Sequence, residues 1–297
     1  MDKEKLTVIE ICSGIGCQAR GIENSPCFEP EVVATSEIDI NAIICYAAIH
    51  CGMTQEMVDS YDYPSEDEMR EYLTRLNIGY VPEKDKQYNW YKSGKKALAN
   101  LKKTWLACKL SRNFGDVSRI ESLPQADIWF WSTPCTDISI AGKLAGLNPD
   151  DNTRSSLIWQ TLRLLKVAKE NGTLPKFMIL ENVKNLVGKK FIDDFERLNS
   201  LISENFGYNV RWKVLNAKDC GIPQNRERVF AVYIRSDIDT GKFEFPEPFD
   251  LGVRLKDVLL EDVDKSYYIK TEKSEALLHD LIDTGRLDVA KYVADCQ

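Results

Sequence analysis

An α/β fold with a mostly parallel sheet and an antiparallel strand near one edge is what the sequence predicts, on three observations. Short apolar runs alternate with segments of helical periodicity. A glycine-containing turn follows the first run directly, and the last two runs are joined by a loop that carries Pro223. Such a sheet, covered by helices on both faces, is Rossmann-like.

The elements read in order. Leu6 to Ile11 is a buried strand, followed by the turn Ser13-Gly14-Ile15-Gly16 and a helix. Glu31 to Ser36 is a second strand, which ends at Glu37 and Asp39 and enters an apolar helical run from Asn41 to Ile49. A short strand is expected before Gly115-Asp116. Further strands are Asp127 to Trp131 and Lys176 to Leu180, with the helical pattern of Leu157 to Ala168 between them. Tyr208 to Leu215 and Arg228 to Ile234 form the final, antiparallel pair.

A chain of 297 residues with 43% apolar residues buries a substantial core. Residues 1–247 read as one main domain with a helical insertion at about 53–113, and 248–297 as the charged, helix-prone start of a smaller one. No run approaches the ~18 apolar residues of a membrane helix. The opening MDKEKLTVIEIC reads as a charged tip entering a strand, so an intracellular, soluble protein is expected. Nine cysteines without paired CxxC spacing, and only two histidines, argue against a structural zinc site and a disulfide framework. Most of these thiols are expected to fill core space.

A net charge of −7 argues against a broad basic surface for nucleic acid. The charge is uneven, however. Lys92, Lys95, Lys96, Lys102, Lys103, Lys109 and Arg112 lie in one stretch without an acid, whereas Glu56 to Glu71 is mainly acidic. Two readings stay open: the stretches pair as solvated helices, or the basic one is a DNA-facing patch.

In open parallel sheets ligands bind beyond the carboxyl ends of the strands. Gly14 and Gly16 let the backbone approach a ligand closely. Glu37 ends the second strand about 20 residues further on, where an acid commonly holds the ribose of an adenosine-containing cofactor. The turn lacks a full GxGxxG and needs no phosphate cradle, which favours S-adenosylmethionine over a dinucleotide. Asp116 suits a hydrogen bond from the adenine amino group. The ordinary alternative is a glycine turn beside a surface acid.

Two later strands deliver Ser132-Thr133-Pro134-Cys135 and Glu181-Asn182-Val183 to neighbouring loops. A thiol beside a carboxyl group suits a specific difficulty: C5 of cytosine is a poor nucleophile until something adds to C6. Cys135 can make that addition while Glu181 hydrogen-bonds N3. A cysteine is more ordinarily a core filler, but this one follows Pro134 outside the strand. Arg226 and Arg228 alternate on an extended segment, which suits a phosphate or the cytosine O2; the ordinary alternative is a surface ion-pair cluster.

In this order, Glu10-Ile-Cys-Ser-Gly-Ile-Gly16, Ser36-Glu37-Ile-Asp39, Gly115-Asp116-Val117, Pro134-Cys135, Glu181-Asn182-Val183 and Gln224-Asn-Arg-Glu-Arg228 resemble the bacterial and phage DNA cytosine-5 methyltransferases. The stretch Gly207 to Asn216, continuing through Ile222 to Val229, is similar too. The resemblance covers residues 6 to about 235. It implies a class I S-adenosylmethionine-dependent methyltransferase fold and DNA (cytosine-5-)-methyltransferase activity on double-stranded DNA, with the target cytosine swung out of the duplex. It further implies Cys135 as nucleophile, Glu181 as the N3 partner, and Arg226 with Arg228 as clamps on the base and its backbone. Cys12, Gly14, Ile15, Gly16, Glu37, Ile38, Asp116, Val117, Pro134 and Leu157 are implied to line the cofactor pocket.

The sequence departs from the family at three places: Cys12 stands for the usual phenylalanine, Cys17 for the last glycine of the turn, and Thr136 for glutamine. The family's target-recognition region and its last two motifs are expected to be missing, with Leu255 to Ile269 as the connection into them. The expected setting is the cytoplasm of a bacterium or a phage-infected cell, in restriction-modification or phage self-protection. A second chain supplying the recognition region, a catalytically deficient subunit, and a tRNA cytosine-5 methyltransferase are the alternatives.

Overall fold

In the computed structural model, which describes residues 3–81, 84–134, 155–260, 262–267 and 271–286, the first apolar run forms β1 (Glu4–Ile11). Its last four residues are buried on both faces, as a central strand requires. The glycine turn opens α1 (Cys17–Glu23), and β2 (Phe28–Ser36) returns parallel to β1. α2 (Ile40–His50) follows, its first turn capped by Asp39, which accepts from the Ala42 N–H at 2.8 Å.

The insertion contains α3 (Gln55–Ser60), α4 (Glu66–Arg75) and α5 (Lys95–Leu110). Together with α2 these helices enclose their own core, in which Ile43, Ala47, Met69, Leu73, Trp105 and Leu106 are buried. α4 carries a reciprocal cap between Ser65 and Glu68, so its start is set locally. The strand expected before Gly115 is reduced to a single bridge between Thr35 and Asn113. Arg112 there takes a positive φ of 50°, which breaks the extended backbone that a longer ladder needs.

The main domain continues with β3 (Ile128–Trp131), α6 (Gln160–Glu170), β4 (Phe177–Val183), α7 (Ile192–Phe206), β5 (Tyr208–Asn216) and β6 (Glu227–Arg235). The strand order is β2-β1-β3-β4-β6-β5. β1 pairs parallel with β2 and β3, and β3 with β4, while β6 runs antiparallel to β4. β5 starts where β6 ends, since the Ser236 N–H donates to Gly207 O at 2.8 Å, so these two are also antiparallel. The expected architecture is therefore present, with the antiparallel strand one place in from the edge.

Side chains on one face of the sheet, including Ile9, Ile11, Trp129, Trp131, Met178 and Leu180, pack against α6 and α7 in the principal core. Each such fully buried side chain contributes roughly 1.5–3 kcal/mol. Val8, Ile128 and Phe130 point to the opposite face, as the two-residue period of a strand demands.

The chain separates into two compact units. The first comprises 1–215 and 227–245, the second 216–226 and 246–297. In the second, Cys220 bridges to Phe249, and α8 (Glu272–Asp283) is capped by Thr271. Among the described residues no helix is long and apolar enough to cross a membrane, and no cluster of histidine, cysteine and acidic side chains is arranged to hold a metal. The described cysteines are free thiols.

Candidate active site

The chain moves outward from β1 to β2 on one side and to β3 on the other. The crevice beyond the ends of β1 and β3 is thus the switch point at which doubly wound sheets bind ligands. Two hydrogen bonds join the loops that leave these strands. The Ser132 N–H donates to Ile11 O at 3.2 Å, and Gln18 Nε2 donates to Ser132 Oγ.

The turn after β1 is held from below. Cys12 and Gly14 take positive φ of 56° and 55°, and Gly16, at φ 86°, opens α1. A non-glycine residue in this region costs on the order of 1 kcal/mol, and such residues gather where a backbone serves a ligand. A side chain on Gly16 would meet His50 Nε2 at 2.4 Å and Tyr46 at 2.8 Å, so glycine is required there. Among the described residues, a side chain on Gly14 would meet nothing within 4 Å, which leaves that side of the turn open to them.

Under the turn lies a buried polar group. Glu10 accepts from the Ala19 N–H at 2.9 Å and from Tyr46 Oη at 2.5 Å. Burial raises its carboxyl above the usual carboxylate range, opposed by the hydrogen bonds from Tyr46 and Ala19. His50 lies 3.0 Å from Glu23 and 3.2 Å from Ile15 O, which ties α2 to the turn.

Glu37 is the organising acid. Its Oε2 accepts from the Gly14 N–H at 2.9 Å, and its Oε1 from the N–H groups of Ile38 at 2.8 Å and Asp39 at 2.9 Å. A carboxylate offers about four acceptor sites, so roughly one remains for a ligand hydroxyl. Asn113 links this acid to the next turn: its Oδ1 accepts from the N–H groups of Glu37 at 3.0 Å and Gly115 at 2.9 Å. Asp116 is fixed by Asn77 at 2.7 Å and by the Ser118 N–H at 2.9 Å.

Cys12 lies within the field of both acids. Burial, then Glu37 and Asp116, push its thiol far above the usual cysteine range, so it stays a neutral packing group. Cys12, Gly14, Glu37, Ile38 and Asp116 therefore share one neighbourhood. Ile15 is exposed, Val117 is buried in the principal core, and Leu157 packs at that core's margin. An open glycine turn beside two acceptor carboxylates fits an adenosine better than a phosphate.

β4 ends in the second cluster. Glu181 stands opposite Phe230 on β6 and Asn182 opposite Val229, so Arg228, opposite Val183, is a diagonal neighbour of Glu181 on the same face. Arg228 Nε donates to Glu181 Oε1 at 3.1 Å, and only about a quarter of either side chain is exposed, 22% and 25%. Asn182 is buried; its Nδ2 donates to Thr133 O at 3.2 Å, which joins the end of β4 to the segment after β3. Pro134 follows at that strand end, and Cys135 lies outside the described residues. Arg226 precedes β6 and belongs to the second unit, where its N–H donates to Asn216 Oδ1 at 3.0 Å.

Asn113, His50 and the tether made by Asn182 escaped the sequence reading. Asn182 sat inside a recognised motif, but nothing in the motif named Thr133 as its partner. Asn113 and His50 carry no local signal.

Comparison with known proteins is consistent with this geometry. A family model described as C-5 cytosine-specific DNA methylase matches residues 88–285. A type II methyltransferase of Lactococcus lactis subsp. cremoris is 38% identical over 285 residues, covering 93% of this chain and 74% of the relative. An orphan methyltransferase of Spiroplasma monobiae is 32% identical over 234 residues, 77% of this chain and 59% of the relative. The solved structure of an Entamoeba histolytica methyltransferase shares the fold, with a TM-score of 0.54 at 18% identity over 90% of this chain and 64% of that one. The chain thus spans less than two thirds of the Spiroplasma relative and of the solved structure.

Proposed function

Because this chain belongs to the C-5 cytosine-specific DNA methylase family, we propose that it transfers a methyl group from S-adenosylmethionine to C5 of cytosine in DNA through a covalent Cys135–C6 adduct. The observation that carries this reading is the hydrogen bond from Asn182, next to Glu181, to Thr133, two residues before Cys135. It ties the carboxyl-bearing strand end to the segment that leads into the thiol.

The reaction begins with the cytosine out of the stack, where C6 is accessible. Cys135 adds to C6 as the thiolate, and Glu181 shares a proton with N3 as charge builds on the ring. S-adenosylmethionine, when bound, supplies the methyl group that the activated C5 takes up. Loss of the C5 proton then expels the thiolate and restores the aromatic base. Arg228 holds one oxygen of Glu181 and so aims the carboxyl group, and Arg226 is assigned to the base and its backbone. Gly14, Gly16, Glu37, Ile38 and Asp116 would hold the donor, with Cys12, Ile15, Val117, Pro134 and Leu157 as its apolar surround.

Residues 1–247 are read as the catalytic domain and 248–297 as the start of a target-recognition domain. The exposed Leu251, Leu260 and Tyr267 suit a surface that further sequence or a second chain covers. The bacterial cytoplasm, or that of a phage-infected cell, is the setting in which such an enzyme meets its DNA.

Glu181→Gln keeps the shape but cannot share a proton with N3. It is expected to lower methyl transfer by about 10²–10⁴-fold, the usual scale for a positioned acid. Donor affinity should stay within about twofold, since free-energy losses of chemistry and of binding separate in this way. Tritium transfer and calorimetry check the two halves, and a variant with unchanged turnover would remove Glu181 from the chemistry.

The decisive experiment for the reading as a whole incubates the protein with S-adenosylmethionine and duplex DNA containing 5-fluorocytosine. Fluorine at C5 cannot leave as a proton does, so a covalent protein–DNA complex should accumulate and survive denaturing electrophoresis. Absence of that complex, with the donor still bound, would overturn the proposal in favour of a binding subunit.

A further inference from the structure

The sequence left open whether the basic stretch of the insertion pairs with the acidic one before it, and among the described residues no ion pair joins the two. Glu66 and Asp67 both pair with Arg70 on their own helix, Glu68 caps Ser65, and Asp59 accepts from Gln55 at 2.9 Å. Lys92, Lys95, Lys96, Lys102 and Lys103 form no ion pair among the described residues. They line one groove of about 880 Å³ between α3 and the start of α5, with Asp59 as the acid among them. Lys92 and Lys102 rest over the rings of Tyr88 and Tyr63, at 5.3 and 4.8 Å, which orients their ammonium groups without neutralising them.

Helical spacing brings these charges to one side: 95 with 102 and 96 with 103 are each two turns apart. The start of α5 adds to the positive field. Gly94 offers no side-chain cap, and the first turn holds two lysines and no acid, the reverse of what the helix dipole favours. In a chain of net charge −7, this concentration of unpaired cations is available to an external polyanion.

We propose that this groove binds the phosphate backbone of duplex DNA flanking the target cytosine. Lys95 to Lys103 spans about 12 Å at 1.5 Å per residue. At about 3.4 Å of axis per phosphate on one strand, that matches roughly three phosphates. α5 is a 16-residue helix, about 24 Å long, and its far end leads to Asn113 and so to Glu37. That helix length corresponds to on the order of seven base pairs of duplex axis, so the groove is assigned to flanking DNA and not to the target base. This inference rests on the functional reading above.

The test compares the protein with a Lys95→Gln, Lys96→Gln, Lys103→Gln variant, both saturated with S-adenosylmethionine. Fluorescence anisotropy measures binding to mixed-sequence duplexes of 12 and 30 base pairs between 50 and 200 mM salt. The variant is expected to lose at least about tenfold in affinity for the longer duplex and to flatten its logarithmic salt dependence by roughly 2 to 3, at about 0.9 per phosphate contact. Its affinity for the shorter duplex, its melting temperature and its donor affinity should match the parent. An unchanged affinity and slope for the longer duplex, with DNA binding intact, would overturn this inference alone. Equal losses on both lengths would overturn the assignment to flanking DNA. Failure of the parent to bind either duplex would overturn the inference and the functional reading together.

Discussion

Cys135→Ser is expected to abolish the covalent complex with 5-fluorocytosine DNA and to lower methyl transfer on the order of 10⁴-fold, the scale on which loss of a covalent nucleophile acts. An ordinary thiol is a few per cent thiolate at neutral pH, whereas a serine hydroxyl supplies essentially no alkoxide and adds to C6 poorly. Rescue by another thiol at the strand ends is not expected. Cys12 is kept neutral by burial and by Glu37 and Asp116. Donor affinity should be unchanged within about twofold, because the proposed role of Cys135 lies in the chemical step. Denaturing electrophoresis of labelled DNA reads the adduct and calorimetry the donor. A serine variant that still traps DNA would sink the assignment of the nucleophile.

Gly115→Ala is expected to cost about 3–5 kcal/mol of stability, a large part of the 5–15 kcal/mol that holds a typical domain. A Cβ at Gly115 would stand 2.1 Å from the carbonyl oxygen of Leu76 and 2.7 Å from its Cβ. That carbonyl cannot swing aside cheaply, because it accepts from the Asp116 N–H at 3.0 Å. Gly115 also has a φ of 75°, which adds on the order of 1–2 kcal/mol for an alanine. Its own carbonyl accepts from Ser36 Oγ at 2.7 Å, so relaxation here shifts the end of β2 and with it Glu37. The melting temperature should fall by about 10 °C, and donor binding should weaken in the protein that remains folded. A melting temperature within about 2 °C of the parent would show that the turn can relax, against this account.

Much of the fold was legible because its signals are local. Val8, Ile9 and Ile11, and the run Ile128 to Trp131, put apolar side chains on both faces as a central parallel strand does, and the structure makes the two strands neighbours. The glycine turn and Glu37 were legible as well, since each follows a strand directly. The short strand expected before Gly115 is instead a single bridge, because Arg112 takes a positive φ that has no sequence signature in an arginine. The charges were half legible. The sequence showed where the lysines and acids cluster, but pairing depends on which helix faces face each other, and α4 holds Glu66 and Asp67 with its own Arg70.

By itself, then, the sequence determined which chemistry-bearing residues stand at strand ends and in what order, because strand periodicity and turn chemistry act between near neighbours in the chain. The tertiary structure alone decided which of them meet. Asn113 joins Glu37 to Gly115, Asn182 reaches Thr133, Arg228 rather than Arg226 pairs with Glu181, and His50 and Leu76 leave no room for a side chain at Gly16 and Gly115. These contacts link residues brought together by strand order and register, and no local interaction sets either.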